Sequence, residues 1–478
     1  MSNQTKQNLN DLQKLLICAV GMGLFLAWTI GNSYIKLLAG FSVGSASHIA
    51  DIIAGIGANV ATLIVVAVLN KQIRSLLAFD WIKILAGAFG IIGPVLVVVL
   101  HVAGVWVLAI FGSALKGIAA ALLFLLWNEL FCRLSIKQVS ICYAGAYVVS
   151  VILQIAMSAL SSALSFACVL VCCLCSTLLL LLTSNKISSC GEGEIKEQHF
   201  FPWRLVVMVA VFTFVAFFFR QLLGSERTDL SCVGGGIVAL VCIVGTLFFF
   251  KDYFDASVLE YVAMPLIVAG ILLYCWQGDA ARGVVLIFTD AGNVAFRIFL
   301  LVVLCDICYR YGVPALWIFP IVRIPMMIAE GCGLGLSIYS FNASIDLHSA
   351  VNLPICYAMI FLLVVVASPL RRSRKISDSF YDFVSGSSKV ALRKKGRKSL
   401  AKNADLDSWR VNQVARQYGL TRKEEEILSY LADGMKRVQI EEKLVLSENT
   451  VRTHMKHIYA KLGVHSYDEV VAVVKNWQ

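Results

Sequence analysis

The sequence predicts an all-α protein in two parts, a twelve-span transmembrane helical bundle followed by a small four-helix domain. Three observations carry this reading. Of 478 residues, 59% are apolar and only 15% are charged, far from the balance of a soluble chain. Twelve stretches approach the roughly 20 apolar residues that a helix needs to cross a bilayer. Beyond residue 370 the apolar runs stop, and polar sequence with helix-capping signals takes over.

The twelve stretches are 15–35, 49–69, 82–100, 103–127, 138–160, 163–183, 203–223, 232–250, 258–276, 283–305, 314–338 and 351–370. The first follows an Asn/Gln-rich start, without the basic n-region and small-residue cleavage site of a signal peptide, so it is expected to stay as a span. An even number of spans returns both termini to one side. Twelve Lys and Arg, from Lys6 to Arg310, fall in loops on that side, against Lys36, Arg220, Arg227 and Arg282 on the other. The positive-inside tendency therefore places both termini in the cytoplasm.

A polar loop at 184–202 divides the membrane domain, 1–370, into halves 1–183 and 203–370. Lys71 and Lys251 follow even-numbered spans at corresponding places, and Lys116 of the fourth span corresponds to Arg297 of the tenth. Two six-span halves joined by a longer inner loop resemble the major facilitator superfamily, whose halves are parallel repeats. The resemblance implies a 6+6 bundle. The superfamily's Gly-x-x-x-Asp-Arg-x-Gly-Arg type of loop is missing after the second span, where Leu69-Asn-Lys-Gln-Ile-Arg74 stands. That departure bears on active transport more than on the fold.

Charge inside a span is costly and normally faces a cavity or a partner. Asp51, Lys116, Asp290, Arg297, Arg323 and Glu330 are the cases here. Lys116, Arg297 and Arg323 fall at similar depth, and Asp290, Asn293 and Glu330 lie within two turns of the arginines. Two readings stand. In one, Lys116, Asp290, Asn293, Arg297, Arg323 and Glu330 line a mid-membrane cavity for an anionic or phenolic small molecule, since guanidinium pairs well with carboxylate. In the other, they form internal ion pairs that only fix the packing.

All fifteen cysteines lie between Cys18 and Cys356, mostly within apolar runs. Cys168, Cys172, Cys173 and Cys175 lack His or carboxylate partners, and Cys305-Asp-Ile-Cys308 is no better as a metal site. No cofactor, metal or enzymatic constellation is expected.

Residues 371–411 read as a basic, flexible linker, with Arg371-Arg-Ser-Arg-Lys375 and Arg393-Lys-Lys-Gly-Arg-Lys398. Such a chain of about forty residues spans roughly 35 Å and transmits no rigid lever motion. Its charge suits anionic lipid or DNA phosphate, or a plain solvated spacer.

In the domain at 412–478, Thr421-x-x-Glu424 is a capping box that opens an amphipathic helix with Ile427, Leu428 and Leu431 on one face. A second helix is expected at 437–444, a third after the N-cap Ser447, and a fourth over Ser466–Trp477. On the third, Val451, Met455, Ile458 and Leu462 group on one side, and Asn449, Arg452, Thr453 and Lys456 on the other. One face packs and the other is free to read DNA: Arg and Lys suit guanine, and Thr suits the thymine methyl.

The run Gly419-Leu-Thr-Arg-Lys-Glu-Glu-Glu-Ile-Leu, then Leu431-Ala-Asp-Gly434, Leu446-Ser-Glu-Asn-Thr-Val-Arg-Thr-His454 and Lys461-Leu-Gly-Val464, resembles the LuxR-type helix-turn-helix domain. The resemblance implies that Arg452, Thr453 and Lys456 face base edges in double-stranded promoter DNA, while Thr450 meets backbone. It also implies a homodimer through the last helix, with Val470, Val471, Val473 and Val474 available. Lys436-Arg-Val-Gln-Ile-Glu441 departs from the family's Ser-Asn-Lys-Glu-Ile-Ala run, with Glu441 in place of a small Ala. Nothing resembles a receiver domain, so phosphorylation is not the expected signal. The whole reads as a one-component regulator in the lipid bilayer of a bacterial-type inner membrane, its DNA-binding domain in the cytoplasm. A transporter with a regulatory tail is the alternative, and vectorial uptake into vesicles would separate the two.

Overall fold

The computed structural model describes residues 3–30, 45–73, 75–184, 203–223, 232–246, 257–311, 313–342, 353–367, 411, 413–432, 448–464, 469–470 and 473–474. All regular elements among them are helical. The chain divides into two compact units, Met1–Gly386 and Ser387–Gln478.

The first unit contains α1 (Asn3–Ile30), α2 (Ala46–Leu69), α3 (Asp80–Val102), α4 (Trp106–Phe131), α5 (Ile136–Ser158) and α6 (Ser162–Ser184). These are followed by α7 (Trp203–Leu223), α8 (Val233–Val244), α9 (Ser257–Gln277), α10 (Arg282–Tyr311), α11 (Ala315–Asn342) and α12 (Leu353–Ala367). Each overlaps one of the twelve expected spans. Seven of them (α2 to α6, α10 and α11) contain stretches long and apolar enough to cross a membrane, and the other five carry shorter apolar stretches within the described residues. The inner loop at 185–202 and the linker, apart from Val411, lie outside the described residues.

Side-chain caps close the starts of two of these helices. The Ser45 hydroxyl caps α2 by accepting the His48 N–H at 3.2 Å. Ser135 and Gln138 form a capping box on α5. Gly104, at φ 77°, ends α3 in the left-handed conformation that glycine adopts without strain. The Val105 N–H then bonds the Leu100 carbonyl at 2.9 Å, closing the turn into α4.

Small residues let the helices approach closely, as lipid-embedded packing requires. A Cβ on Gly117 would overlap the Gly55 carbonyl, so α2 and α4 meet backbone to backbone. A Cβ on Gly93 would stand 2.7 Å from the Gly112 carbonyl oxygen, which does the same for α3 and α4. Large side chains fill what remains: the Trp127 indole donates to Ser176 at 3.1 Å, and Ser176 donates to the Gly21 carbonyl at 2.8 Å, tying α1, α4 and α6 together. Val68, Phe111 and Trp276 face outward, as lipid-facing side chains do.

The packing repeats with a shift of six helices. α3 packs on α4 as α9 does on α10, α1 on α5 as α7 on α11, and α2 on α4 as α8 on α10. Between the halves, α2 meets α11 as α8 meets α5, and α4 meets α11 as α10 meets α5. This is the arrangement of two parallel repeats about a pseudo-two-fold axis.

Where the expected charged loop signature is missing, the turn after α2 is held by other means. Glu129, in the last turn of α4, accepts the Ser75 hydroxyl, the Leu76 N–H at 3.0 Å and the Leu77 N–H at 3.4 Å. A buried carboxylate with three donors is satisfied, and the turn is pinned to α4.

The second unit contains α13 (Arg422–Ala432) and α14 (Glu448–Leu462), with further helical residues at 413–417, 469–470 and 473–474. Val411, Val414, Ile427, Leu428, Leu431, Val451, Ile458, Leu462, Val470 and Val474 form its core. The helical turn at 413–417 adds to the four helices expected. It buries Val414 and Ala415 and ends at Gly419, φ 60°, where the Leu420 N–H bonds the Ala415 carbonyl at 2.8 Å. The expected helix at 437–444, with Glu441, lies outside the described residues.

Candidate functional site

Two places concentrate the chemistry, one in each unit. In the second unit, α14 is presented by its neighbours in a defined roll. Val451 and Ile458 are fully buried and Leu462 nearly so, with Met455 half-buried against the same core. This is the packed face that the helical spacing calls for. Arg452, Thr453 and Lys456 are exposed, and Thr450 is half-buried. Asn449 belongs to α14, but its side chain lies outside the described residues. A shallow groove along α14 is lined by Arg452, Met455, Lys456, Tyr459, Ala460, Gly463 and Val464, so the two cations border a concave surface.

Glu424 of α13 is tied to α14. Its Oε2 accepts the Thr421 N–H at 2.8 Å, completing the capping box, and also accepts Lys461 of α14 at 2.7 Å. Lys461 donates to the Gly419 carbonyl as well, at 3.0 Å. His457 Nδ1 stands 3.6 Å from the other carboxylate oxygen. Burial opposes ionisation of Glu424, but the Lys461 and Thr421 hydrogen bonds outweigh it and hold the carboxyl at about 2, below the ordinary 4.5. A depressed pKa contributes stability that is complete above about 4.5 and lost as pH falls from there through about 2. Urea unfolding of the second unit between pH 6 and 2.5 should therefore show a loss of stability on acidification. That loss should shrink in Glu424→Gln, whereas an unchanged acid limb in that variant would remove Glu424 as its source.

One expectation is corrected here. Val470 and Val474, expected to be available to a dimer partner, are 0% and 1% exposed within the unit's own core. Val473 packs partly against the same core, and Val471 lies outside the described residues. A short domain needs every apolar side chain for itself, so these valines stabilise the monomer fold.

In the first unit, the charges expected at mid-membrane depth sort into separate contacts. Arg297 on α10 donates from Nη2 to Glu330 Oε1 at 2.6 Å, and Arg323 Nη1 approaches the same oxygen at 3.6 Å. The Arg297 Nε also donates to Asn293 Oδ1 at 3.3 Å, one turn back on α10. Each guanidinium lies over an aromatic ring, Arg297 over Phe217 of α7 at 5.8 Å and Arg323 over Phe124 of α4 at 5.2 Å. Tyr147 on α5 is close enough to feel the charges of Arg297, Arg323 and Asp290.

Lys116 is held apart from that triad by its own partner, Asp51 of α2, at 3.7 Å; Asp51 also accepts the Ser113 hydroxyl. Asp290 accepts the Gly235 N–H of α8 at 3.1 Å. The three cations thus divide, with Arg297 and Arg323 sharing one carboxylate and Lys116 on another. Phe124, Phe217 and Tyr147 complete the surroundings. Nothing in the sequence marks these rings among 27 Phe and 15 Tyr, because which aromatic meets a cation is decided between helices.

Known proteins resemble the two units differently. Residues 418–474 match the family described as bacterial regulatory proteins, luxR family. The Fimbriae Z protein of Salmonella typhimurium is 40% identical over 57 residues, 12% of this chain and 27% of that protein. Its Escherichia coli K12 counterpart is 41% identical over 59 residues, 12% of this chain and 28% of that protein. The probable transcriptional regulatory protein SgaR of Hyphomicrobium methylovorum is 43% identical over 54 residues, 11% of this chain and 26% of that protein. The match spans about a quarter of the length of these relatives. A solved structure of the major facilitator superfamily proton:xylose symporter XylE, bound to 6-bromo-6-deoxy-D-glucose, superposes with a TM-score of 0.53 over 76% of this chain and 95% of that one, at 14% identity. At that identity the likeness speaks for fold alone.

Proposed function

We propose that a LuxR-type DNA-binding domain, carried on a membrane bundle of major-facilitator-like fold, makes this chain a membrane-bound one-component transcriptional regulator. A small molecule is sensed in the bundle, and the C-terminal domain binds promoter DNA in the cytoplasm. The observation that carries the reading is the division of α14 into a buried face, Val451, Ile458 and Leu462, and an exposed face, Arg452, Thr453 and Lys456. An exposed basic helix face on a helix-turn-helix scaffold fits the major groove.

A monomer of this size makes too few contacts for tight specific binding, so the active form is a homodimer on two half-sites about one DNA turn apart. With Val470 and Val474 committed to the core, dimer contacts fall to other residues of the last helix. The sensed molecule is anionic or phenolic. Arg297 and Arg323 share the Glu330 carboxylate, and each guanidinium lies over an aromatic ring, a setting for a planar body with an acceptor that competes for the guanidinium donors.

DNase footprinting tests the reading, using the full chain in lipid nanodiscs on DNA upstream of its own gene and the neighbouring genes. A protected region of two half-sites about one helical turn apart is the expected result. Uniform protection that fades with salt, with no preferred site, would sink it.

A further inference from the structure

We propose that Cys132 and Cys305 form an inter-half oxidation site, at which a disulfide joins the two six-helix halves of the bundle. Cys132 caps the C-terminus of α4 in the first half, and Cys305 belongs to α10 in the second. The Cys132 thiol donates to Cys305 Sγ at 3.9 Å. The two chains of helices that carry them already pack here, since α5, which follows the turn that Cys132 opens, lies against α10.

The surroundings hold this approach in place. The Tyr143 hydroxyl donates to Asn128, one turn before Cys132, and the Tyr143 ring meets Phe131 edge-on at a centroid distance of 4.8 Å. Cys305 is 2% exposed and Cys308, one turn further along α10, is 9% exposed. Cys308 also lies near Cys132, which supplies a third thiol able to exchange with the bond. A disulfide needs its sulfurs about 2.05 Å apart, so closing from 3.9 Å requires side-chain rotation and a small approach of α4 to α10.

The chemistry is a two-electron oxidation by a small diazene such as diamide. The S–H bonds of Cys132 and Cys305 break, the Sγ–Sγ bond forms, and two protons and two electrons pass to the N=N bond, giving the hydrazine. Cys305 and Cys308 are buried, so bulky aqueous thiol reagents have poor access and a small membrane-permeant oxidant is needed. Once formed, the bond restricts any rocking of one half against the other at this end of the bundle. In the twelve-span topology that is the end from which α12 leads towards the DNA-binding domain.

The experiment uses the full chain in lipid nanodiscs with a protease site introduced within residues 185–202. After diamide treatment and blocking of free thiols, cleavage should leave the halves joined on a non-reducing gel and separated on a reducing one. Peptide mapping of the wild-type protein should find Cys132 linked to Cys305, or to Cys308 after exchange. Cys132→Ser should abolish the linkage, with gel filtration confirming that the variant is folded. Halves that separate after oxidation, or a linkage mapped to any pair other than Cys132 with Cys305 or Cys308, would overturn the inference. If the variant does not fold, the wild-type peptide map decides alone.

Discussion

Glu330→Gln should destabilise the membrane bundle more than any other single change among its mid-membrane charges. Glu330 is the carboxylate that both Arg297, at 2.6 Å, and Arg323, at 3.6 Å, touch. All three side chains are largely buried, with 13% to 19% exposure. Removing one partner of a buried ion pair leaves uncompensated charge and costs about 3–5 kcal/mol. Here the removal leaves two like charges facing each other. Arg323→Gln should cost less, because it leaves the closer Arg297–Glu330 contact intact. Thermal unfolding of both variants in the same detergent checks the order. Equal melting temperatures for the two would show that the triad is not organised around Glu330.

Arg452→Ala and Lys456→Ala should each abolish the specific footprint while leaving the domain folded. A good side-chain contact to a base is worth about 1–3 kcal/mol of discrimination, and a symmetric dimer loses it twice. Both side chains are exposed on α14, so neither removal opens a cavity, and the thermal transition of the second unit should not move. The contrasting variant is Ile458→Ala, which truncates a fully buried core residue at about 2–5 kcal/mol and should lose binding through unfolding. Specific binding that survives Arg452→Ala and Lys456→Ala together would remove this face as the reader of DNA.

Much of the helix-turn-helix domain was legible because its signals are local. A capping box needs only Thr421 and Glu424 three residues apart, and the two faces of α14 follow from 100° per residue. The bonds among Thr421, Glu424 and the backbone stand where that spacing puts them. The extra turn at 413–417 was not legible, since its two buried residues, Val414 and Ala415, make no period long enough to read. The destination of Val470 and Val474 was hidden for another reason. An apolar stripe on a helix demands burial but does not say against what, and a partner subunit and the unit's own core satisfy it equally.

The membrane unit divides in the same way. Sequence alone pointed to apolar helices suited to a bilayer, because a backbone in hydrocarbon must satisfy its own hydrogen bonds and an apolar run of sufficient length announces this locally. Each described helix of the first unit overlaps an expected span, and seven are long and apolar enough to cross. Sequence also showed which charges fall within the apolar segments, since that is counted along one helix. Only the tertiary structure decided who pairs with whom. Arg297 has Asp290 seven residues back on its own helix, yet bonds Glu330 of α11, while Asp290 accepts the Gly235 N–H of α8. Lys116, expected at a similar depth to the two arginines, is taken by Asp51. Ion-pair energy depends steeply on distance and on burial, and both are set by how the helices cross and roll, which side chains remote in sequence determine together.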